Sequence, residues 1–219
     1  MCMGLSMPAL LGYFMAMIYN PNNVSIEASP ITTVAEMTTG DDLCRMFGYN
    51  VDPDKKELPL AWGHIVCGET VANLESIWAA RNLKFCPLSI ASAMKKDGPL
   101  AFAASTFKIQ PCLGPEKLFK DLDAWELLNL KPSAILDIPE RLYNQYHMSP
   151  GFLDSVMKKY GIQSPSKTAL EKEFDSGPMK YFVSNTRHYS WPKGAGKHAL
   201  KPFAYATLTS QCSCDWYWL

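Results

Sequence analysis

Residues 63–82 have the sequence GHIVCGETVANLESIWAARN, and this stretch decides the predicted fold. Its apolar start predicts a strand, and Gly68 allows a tight turn that a residue with a Cβ resists. Thr70 is a good N-cap for a helix that begins at Val71. Three residues at helical spacing give that helix one apolar face: Leu74, Ile77 and Trp78. The stretch therefore predicts a strand, a turn and a helix, which is the unit of an α/β fold.

The turn in this stretch also has the features of an anion site. A helix N-terminus presents N–H groups without intrahelical partners, and its dipole favours negative charge, so the turn at Gly68 and Thr70 suits a phosphate group. An ordinary βα unit with a capped helix has the same pattern and binds nothing. The stretch by itself leaves both interpretations open.

A second stretch, YFVSNTRHYSWPK at residues 181–193, is an apolar strand that runs into a turn containing His188. Together and in this order, the two stretches resemble the pyridoxal-phosphate-dependent group II amino-acid decarboxylases, in particular the bacterial and fungal tyrosine decarboxylases. The resemblance covers residues 5–200 and includes four further runs: PALLGYF (8–14), YNPNNV (19–24), DLCRMFGY (42–49) and ELLNL (126–130).

The resemblance implies an α/β fold, the three-layer large domain of the fold type I pyridoxal-phosphate enzymes, here incomplete. It implies that Gly68, Glu69 and Thr70 hold the phosphate of pyridoxal 5′-phosphate and that His188 stacks on the pyridine ring. Glu69 departs from the family pattern, which usually has Gly directly before Thr. A carboxylate close to a dianionic phosphate is repulsive unless it turns away. We therefore expect Glu69 to weaken cofactor binding.

The resemblance also implies that Ser29 and Thr33 lie near the substrate or the phosphate, at the rim of the active site. Ser and Thr are common helix caps, so both residues are also explained as caps of a helix that runs from Thr33 to Phe47. The sequence leaves these two roles open.

Two further groups that the family needs are absent after the His-Tyr-Ser-Trp run: an Asp-Ala segment that supplies a carboxylate, and a Ser-x-His-Lys segment that supplies the Schiff-base lysine. We therefore predict that residues 1–200 are the N-terminal portion of the large domain and that residues 201–219 are a divergent tail, as a frameshift or mis-called gene model produces. The predicted function is a carboxy-lyase acting on L-tyrosine or a related amino acid, present as an incomplete chain. The alternative is a non-catalytic fragment that binds a full-length partner subunit or does not fold on its own, because a partial sheet leaves an unpaired edge.

The charges of the 219-residue chain are balanced, with 21 Lys and Arg against 21 Asp and Glu. No basic stripe indicates a nucleic-acid partner. The apolar residues 1–18 lack the positive start of a signal peptide and are interrupted by Pro8 and Gly12, so we expect no membrane span and a buried helix beginning near Pro8. The family resemblance implies a homodimer and a small amino-acid substrate.

The seven cysteines show no metal-ligand spacing, apart from a lone C-x-C at Cys212 and Cys214 that has no second half. We therefore expect no metal site, although a zinc or redox module at that C-x-C is a third interpretation. Scattered, odd-numbered cysteines are typical of reduced thiols and predict a cytoplasmic protein.

Local patterns predict the remaining elements, with no domain boundary before residue 200. Five of these predictions bear on the structure below: a connection with a second short helix over 83–107, a helix over 133–145, a helix capped by Ser149 and ended by Gly161, a loop over 164–178, and a buried strand over 179–184.

Overall fold

The computed structural model describes residues 6–183, 187–197 and 201–203. The chain divides into two compact units, Met1–Val66 and Cys67–Leu219. The division lies within residues 63–82 and is not marked by a low-complexity linker. Of the tail predicted at 201–219, the residues from 204 onward, including Cys212 and Cys214, lie outside the described part.

The first unit contains two described helices, α1 (Met7–Tyr19) and α2 (Pro30–Met46). Ser6 caps α1 by accepting a hydrogen bond from the Ala9 N–H at 3.4 Å, and Asn20 ends it in the left-handed conformation with φ 44°. The predicted helix near Pro8 is confirmed. Its predicted burial is wrong, because α1 contains no buried residue and the described part of its unit offers only one other helix to cover it.

Helix α2 begins earlier than the predicted Thr33, because Ser29 stands at the N-cap and Pro30 follows at the first position, where its missing N–H costs nothing. Two glycines, Gly40 of α2 and Gly63, bring the backbones of the helix and the following segment into close contact. The strand predicted at the start of residues 63–82 is wrong, since no strand is assigned there and the segment packs on α2 instead.

The second unit is mostly helical. Its described elements in chain order are α3 (Glu69–Ala93), a 3₁₀ turn (Ala101–Ala103), β1 (Lys108–Ile109), β2 (Lys117–Leu118), a 3₁₀ turn (Phe119–Asp121), α4 (Ala124–Leu128), α5 (Pro132–Leu136), α6 (Ile138–Tyr146), α7 (Pro150–Tyr160), α8 (Lys167–Glu173), β3 (Lys180–Phe182), α9 (Ser190–Lys197) and β4 (Lys201–Phe203).

The core of the second unit surrounds the C-terminal half of α3, where most residues from Phe85 to Ala93 are buried. The sequence predicted a connection and a separate helix here, whereas α3 continues through Pro87 to Ala93. Pro87 has no N–H to donate to the carbonyl of Leu83, which normally ends or kinks a helix. Packing of α4, α5, α7 and α8 against α3 outweighs that loss.

Two other predictions failed in the second unit. The helix predicted over 133–145 is divided into α5 and α6 at Asp137, because Pro139 cannot continue the ladder to the carbonyl of Ile135. The loop predicted over 164–178 contains α8, capped by Ser166. Its polar sequence predicted an exposed loop, but Lys167 and Glu171 of α8 are buried and form an ion pair.

Helix α7 is confirmed as predicted, with the Ser149 hydroxyl accepting from the Phe152 N–H at 3.2 Å and Gly161 at the C-cap. The strand predicted over 179–184 is observed as β3. Its predicted burial is wrong for two of its residues, because Lys180 is exposed and Tyr181 is half-buried. Ser184 lies outside the described residues.

The described strands form two small sheets, an antiparallel pair of β1 with β2 and a parallel pair of β3 with β4, in which Tyr181 is opposite Pro202. Parallel pairing through a crossover is the connection typical of α/β folds. The described residues do not form the central sheet of the three-layer domain expected from the resemblance, and the fold type I domain stays a prediction.

Candidate functional site

The candidate site starts at the N-terminus of α3. Gly68 is the N-cap with φ +140°, a conformation that is strained for any residue with a Cβ. The first bond of the helix runs from the Ala72 N–H to the Gly68 carbonyl at 3.1 Å, so the N–H groups before it have no intrahelical acceptor. Thr70 lies in the first turn. Its predicted role as N-cap of a helix starting at Val71 is wrong, because Gly68 begins the helix earlier.

His188 lies beside this helix end. Its Nδ1 is 3.4 Å from Oε1 of Glu69, the first residue of α3, and 2.9 Å from Oγ of Ser190. The imidazole is tilted by 48° against the ring of Tyr189, with centroids 4.1 Å apart. The side chain of His188 is 37% exposed, so part of the ring stays accessible. The structure therefore brings together Glu69 and His188, two residues that the sequence assigned to one cofactor.

Asn73, which lies one turn after Glu69 on α3, was missed by the sequence analysis. Its Nδ2 donates a hydrogen bond to Ser190 Oγ at 2.7 Å and so joins residues 117 positions apart. Ser190 is fully buried, and it links Asn73 to His188. The i, i+4 spacing of Glu69 and Asn73 places both on one face of the helix, a signal that was available in the sequence.

Helix α9 holds this arrangement by packing on α3. Gly194 allows the close approach, since a Cβ at this position would lie 2.6 Å from Cδ1 of Ile77 and 3.1 Å from Cδ2 of Leu74. The Tyr181 hydroxyl donates to the Trp191 carbonyl at 2.6 Å and ties α9 to β3. Burial raises the pKa of the Tyr181 hydroxyl, which therefore stays protonated as a donor at neutral pH.

Ser29 and Thr33, the predicted substrate-proximal residues, lie in the first unit. Ser29 is buried at the N-cap of α2, where it makes no side-chain cap bond and instead bonds to the Thr32 hydroxyl. Thr33 is not a cap but a residue of the first turns of α2, and its buried Oγ1 has no hydrogen-bond partner among the residues that the structure describes. Their predicted proximity to a substrate stays a prediction.

Lys84, the lysine of α3, is half-buried, and its ammonium has a structural role. It donates to the Leu128 carbonyl at 2.7 Å and to Asn129 Oδ1 at 3.3 Å, at the C-terminal end of α4. Burial lowers the pKa of Lys84 because it disfavours the charged form. These bonds commit Lys84 to holding α4 against α3.

Within the described ranges, no three His, Cys, Asp or Glu side chains come close enough together to bind a metal ion. None of the helices in that part of the chain has the length and apolar character that a membrane span needs.

Comparisons with known proteins point to one family. No protein-family model matches the chain. The chain is 33% identical over 189 residues to L-tyrosine decarboxylase of Levilactobacillus brevis and 30% identical over 189 residues to that of Enterococcus faecalis. It is 32% identical over 187 residues to L-tyrosine decarboxylase of Enterococcus faecium.

These matches include 85–86% of this chain but only 23% of each relative. The chain thus spans about a quarter of the length of the curated proteins that it matches. The resemblance stated from the sequence motifs is confirmed by these matches. Over most of its length, this chain is a tyrosine-decarboxylase-like sequence that corresponds to part of such a protein.

Proposed function

We propose that this chain carries the phosphate- and ring-binding part of a pyridoxal-phosphate-dependent amino-acid decarboxylase whose substrate is L-tyrosine or a related amino acid. The observation that carries the proposal is the contact between Glu69 and His188, which joins the two stretches assigned to the cofactor. The similarity to three L-tyrosine decarboxylases supports the chemical class.

The residues at this site fit one end of the cofactor. Gly68 leaves open space before α3, since among the described residues no atom outside its chain neighbours lies within 4 Å of the place where its Cβ would be. The unpaired N–H groups of the first turn of α3 would hold a phosphate, with the hydroxyl of Thr70 beside them. The accessible part of His188 would pack on the pyridine ring, an interaction of about 0.5–1.5 kcal/mol beyond area burial.

When bound, pyridoxal phosphate supplies an electron sink for the loss of carbon dioxide from an amino acid. The residues of this chain would orient the bound cofactor. The helix end fixes the phosphate, and His188 fixes the plane of the pyridine ring, while Ser190 holds the imidazole and Asn73 holds Ser190.

Glu69 opposes phosphate binding at this helix end. Its carboxylate is favourable to the helix dipole but competes with a phosphate for the same N–H groups. The Glu69 side chain is 66% exposed and lies near His188, so it can turn outward when a phosphate enters. We expect Glu69→Gly to bind the cofactor more tightly than the natural chain.

The test is binding of pyridoxal phosphate to the 219-residue chain, measured by the circular dichroism induced in the cofactor's absorption band. We expect pyridoxal phosphate to bind at least tenfold more tightly than pyridoxal, because only the former has the phosphate. His188→Ala should abolish the induced signal, and Glu116→Gln, a change at an exposed carboxylate elsewhere in the second unit, should not alter it. Equal affinity for the two compounds would disprove the proposed phosphate site.

A second measurement concerns the lysines. The sequence has no Ser-x-His-Lys segment after the His-Tyr-Ser-Trp run, so we expect no lysine of this chain to be labelled stoichiometrically when the complex is reduced with borohydride. Peptide mapping by mass spectrometry reports the labelled sites. A single, fully labelled lysine would show that these residues supply the missing group.

A second candidate function, as a non-catalytic partner of a full-length decarboxylase subunit, is favoured by the surface of α1. Large apolar side chains of this helix are exposed, among them Leu11, Phe14, Met17 and Ile18. A patch of this kind marks an interaction site more often than a free surface. Mixing the chain with a full-length L-tyrosine decarboxylase and measuring sedimentation distinguishes this candidate, since a new hetero-oligomer is expected from it alone.

A further inference from the structure

The groups around Nδ1 of His188 differ in whether they favour a protonated or an unprotonated nitrogen. The backbone N–H of Ser190 donates to Nδ1 from 3.4 Å and therefore requires an unprotonated nitrogen. The Glu69 carboxylate, 3.4 Å away, only accepts and therefore favours a proton on Nδ1. The Ser190 hydroxyl is the closest of these three groups at 2.9 Å, and it can either donate or accept. The orientation of that hydroxyl decides where the imidazole proton lies.

Asn73 sets that orientation. Its amide Nδ2 is a donor only, and it lies 2.7 Å from Ser190 Oγ, so the serine oxygen accepts from Asn73. The single hydroxyl proton of Ser190 is then free to point at His188 Nδ1. Because Ser190 is fully buried, solvent does not compete for its hydroxyl, and hydrogen bonds in such surroundings reinforce one another.

We infer that Asn73 is a positioning residue that acts through Ser190 to hold neutral His188 as the tautomer with its proton on Nε2, and that this relay fixes the plane of the ring. Two donors from Ser190 at Nδ1 outweigh one exposed carboxylate. The consequence for a cofactor rests on the proposed function. The imidazole ring of His188 is oriented before any ligand binds, and its Nε2–H edge points away from Ser190 and Asn73. The tautomer itself does not depend on that function.

Nitrogen NMR of the full 219-residue chain, labelled with ¹⁵N-histidine and studied without cofactor, tests this inference. Among the four histidines, the signals of His188 are identified by their loss in His188→Gln. At a pH where His188 is neutral, we expect the signature of an unprotonated Nδ1 and a protonated Nε2. Asn73→Asp replaces the donor by an acceptor, so the serine proton turns to the new carboxylate and Oγ accepts from Nδ1. The expected result is a change from predominantly Nε2–H to predominantly Nδ1–H.

Asn82→Asp is the matched control, because it makes the same chemical change on the same helix at a residue that bonds to Arg81 and Gln163. It should leave the His188 signals unchanged. Ser190→Thr retains the hydroxyl and should keep the natural tautomer. Ser190→Ala removes the hydroxyl donor and leaves only the backbone N–H of residue 190 against Glu69, so the share of the Nδ1–H tautomer should rise. These two Ser190 variants test the inference if Asn73→Asp does not fold.

An Nδ1–H tautomer in the natural chain would overturn the inference, as would a folded Asn73→Asp variant with unaltered nitrogen signals. If the natural chain has the Nδ1–H tautomer and Glu69→Gln changes it to Nε2–H, Glu69 is the controlling group instead. These results are separate from the proposed function: loss of phosphate discrimination in the binding experiment leaves the tautomer measurement intact, and the reverse is also true.

Discussion

The two compact units differ in what their helices bury. Helix α1 of the first unit has no buried residue and α2 buries only Gly40 and Cys44, whereas α3 of the second unit buries most of the run from Phe85 to Ala93. Both α1 and α3 are rich in apolar residues. Apolar composition therefore does not determine burial. A helix is buried when other elements surround it, and five helices of the second unit, α4, α5, α7, α8 and α9, pack against α3.

The comparison predicts that the free energy of unfolding resides mainly in the second unit. Phe107 is fully buried and packs against Phe119, with ring centroids 5.6 Å apart, and against Tyr146 at 6.3 Å. Phe107→Ala should cost about 4 kcal/mol, from lost transfer energy and the cavity left behind. Phe14→Ala in α1, where the side chain is 56% exposed, should cost about 0.5 kcal/mol or less. Urea denaturation measures both, and equal losses would break the comparison.

A buried ion pair in the second unit provides a second comparison of the two units. Lys167 and Glu171 form an ion pair at 2.6 Å with both residues buried, and Glu171 also accepts the Met179 N–H at 2.6 Å. Glu171→Gln should cost about 3 kcal/mol, because it leaves a buried ammonium without its counter-charge. Glu36→Gln in the first unit alters a half-buried residue whose carboxylate accepts from Asn23 in a solvent-exposed bond, and the melting temperature should hardly change. A small loss in both variants would show that water reaches the pair.

The reactivity of the cysteines allows the stability of the two units to be compared without mutation. Burial raises the pKa of the Cys86 thiol from its ordinary value of 9.0 to about 11, so the thiol is protonated and unreactive near neutral pH. The folded state prefers the neutral thiol, and its contribution to stability is complete below pH 9 and lost as the pH rises through about 11, at about 1.4 kcal/mol for each pH unit.

Alkylation in increasing urea, mapped by mass spectrometry, gives the readout. Exposed Cys67 should react without denaturant, buried Cys44 of the first unit at low urea, and Cys86 of the second unit only at the main transition. Simultaneous exposure of Cys44 and Cys86 would show that the two units unfold as one.

Helix caps provide the smallest predicted difference. Ser149 accepts from the Phe152 N–H at 3.2 Å at the start of α7, so Ser149→Ala should cost about 1 kcal/mol. Ser29 stands at the N-cap of α2 without a side-chain cap bond, so Ser29→Ala should cost less than the Ser149 change. Thermal unfolding of the two variants compares them. A larger loss at Ser29 would assign its hydroxyl a role in the first unit that its bond to Thr32 does not explain.

Sequence patterns were sufficient where a helix end depends on neighbouring residues. The caps of α7 at Ser149 and Gly161 were predicted correctly, because each involves hydrogen bonds within one turn. They were insufficient at Pro87 and over residues 164–178. In the first case core packing carries α3 through a proline, and in the second a buried ion pair stabilises a helix whose polar residues predicted a loop.

For the candidate site, the motifs around Gly68 and His188 by themselves identified both stretches and the family, because they are local and specific. Only the tertiary structure revealed Asn73 and Ser190 as the link between those stretches. That link spans 117 positions and requires α9 to dock on α3 at Gly194. A hydrogen bond between distant segments depends on the packing of whole elements, and no local pattern encodes that packing.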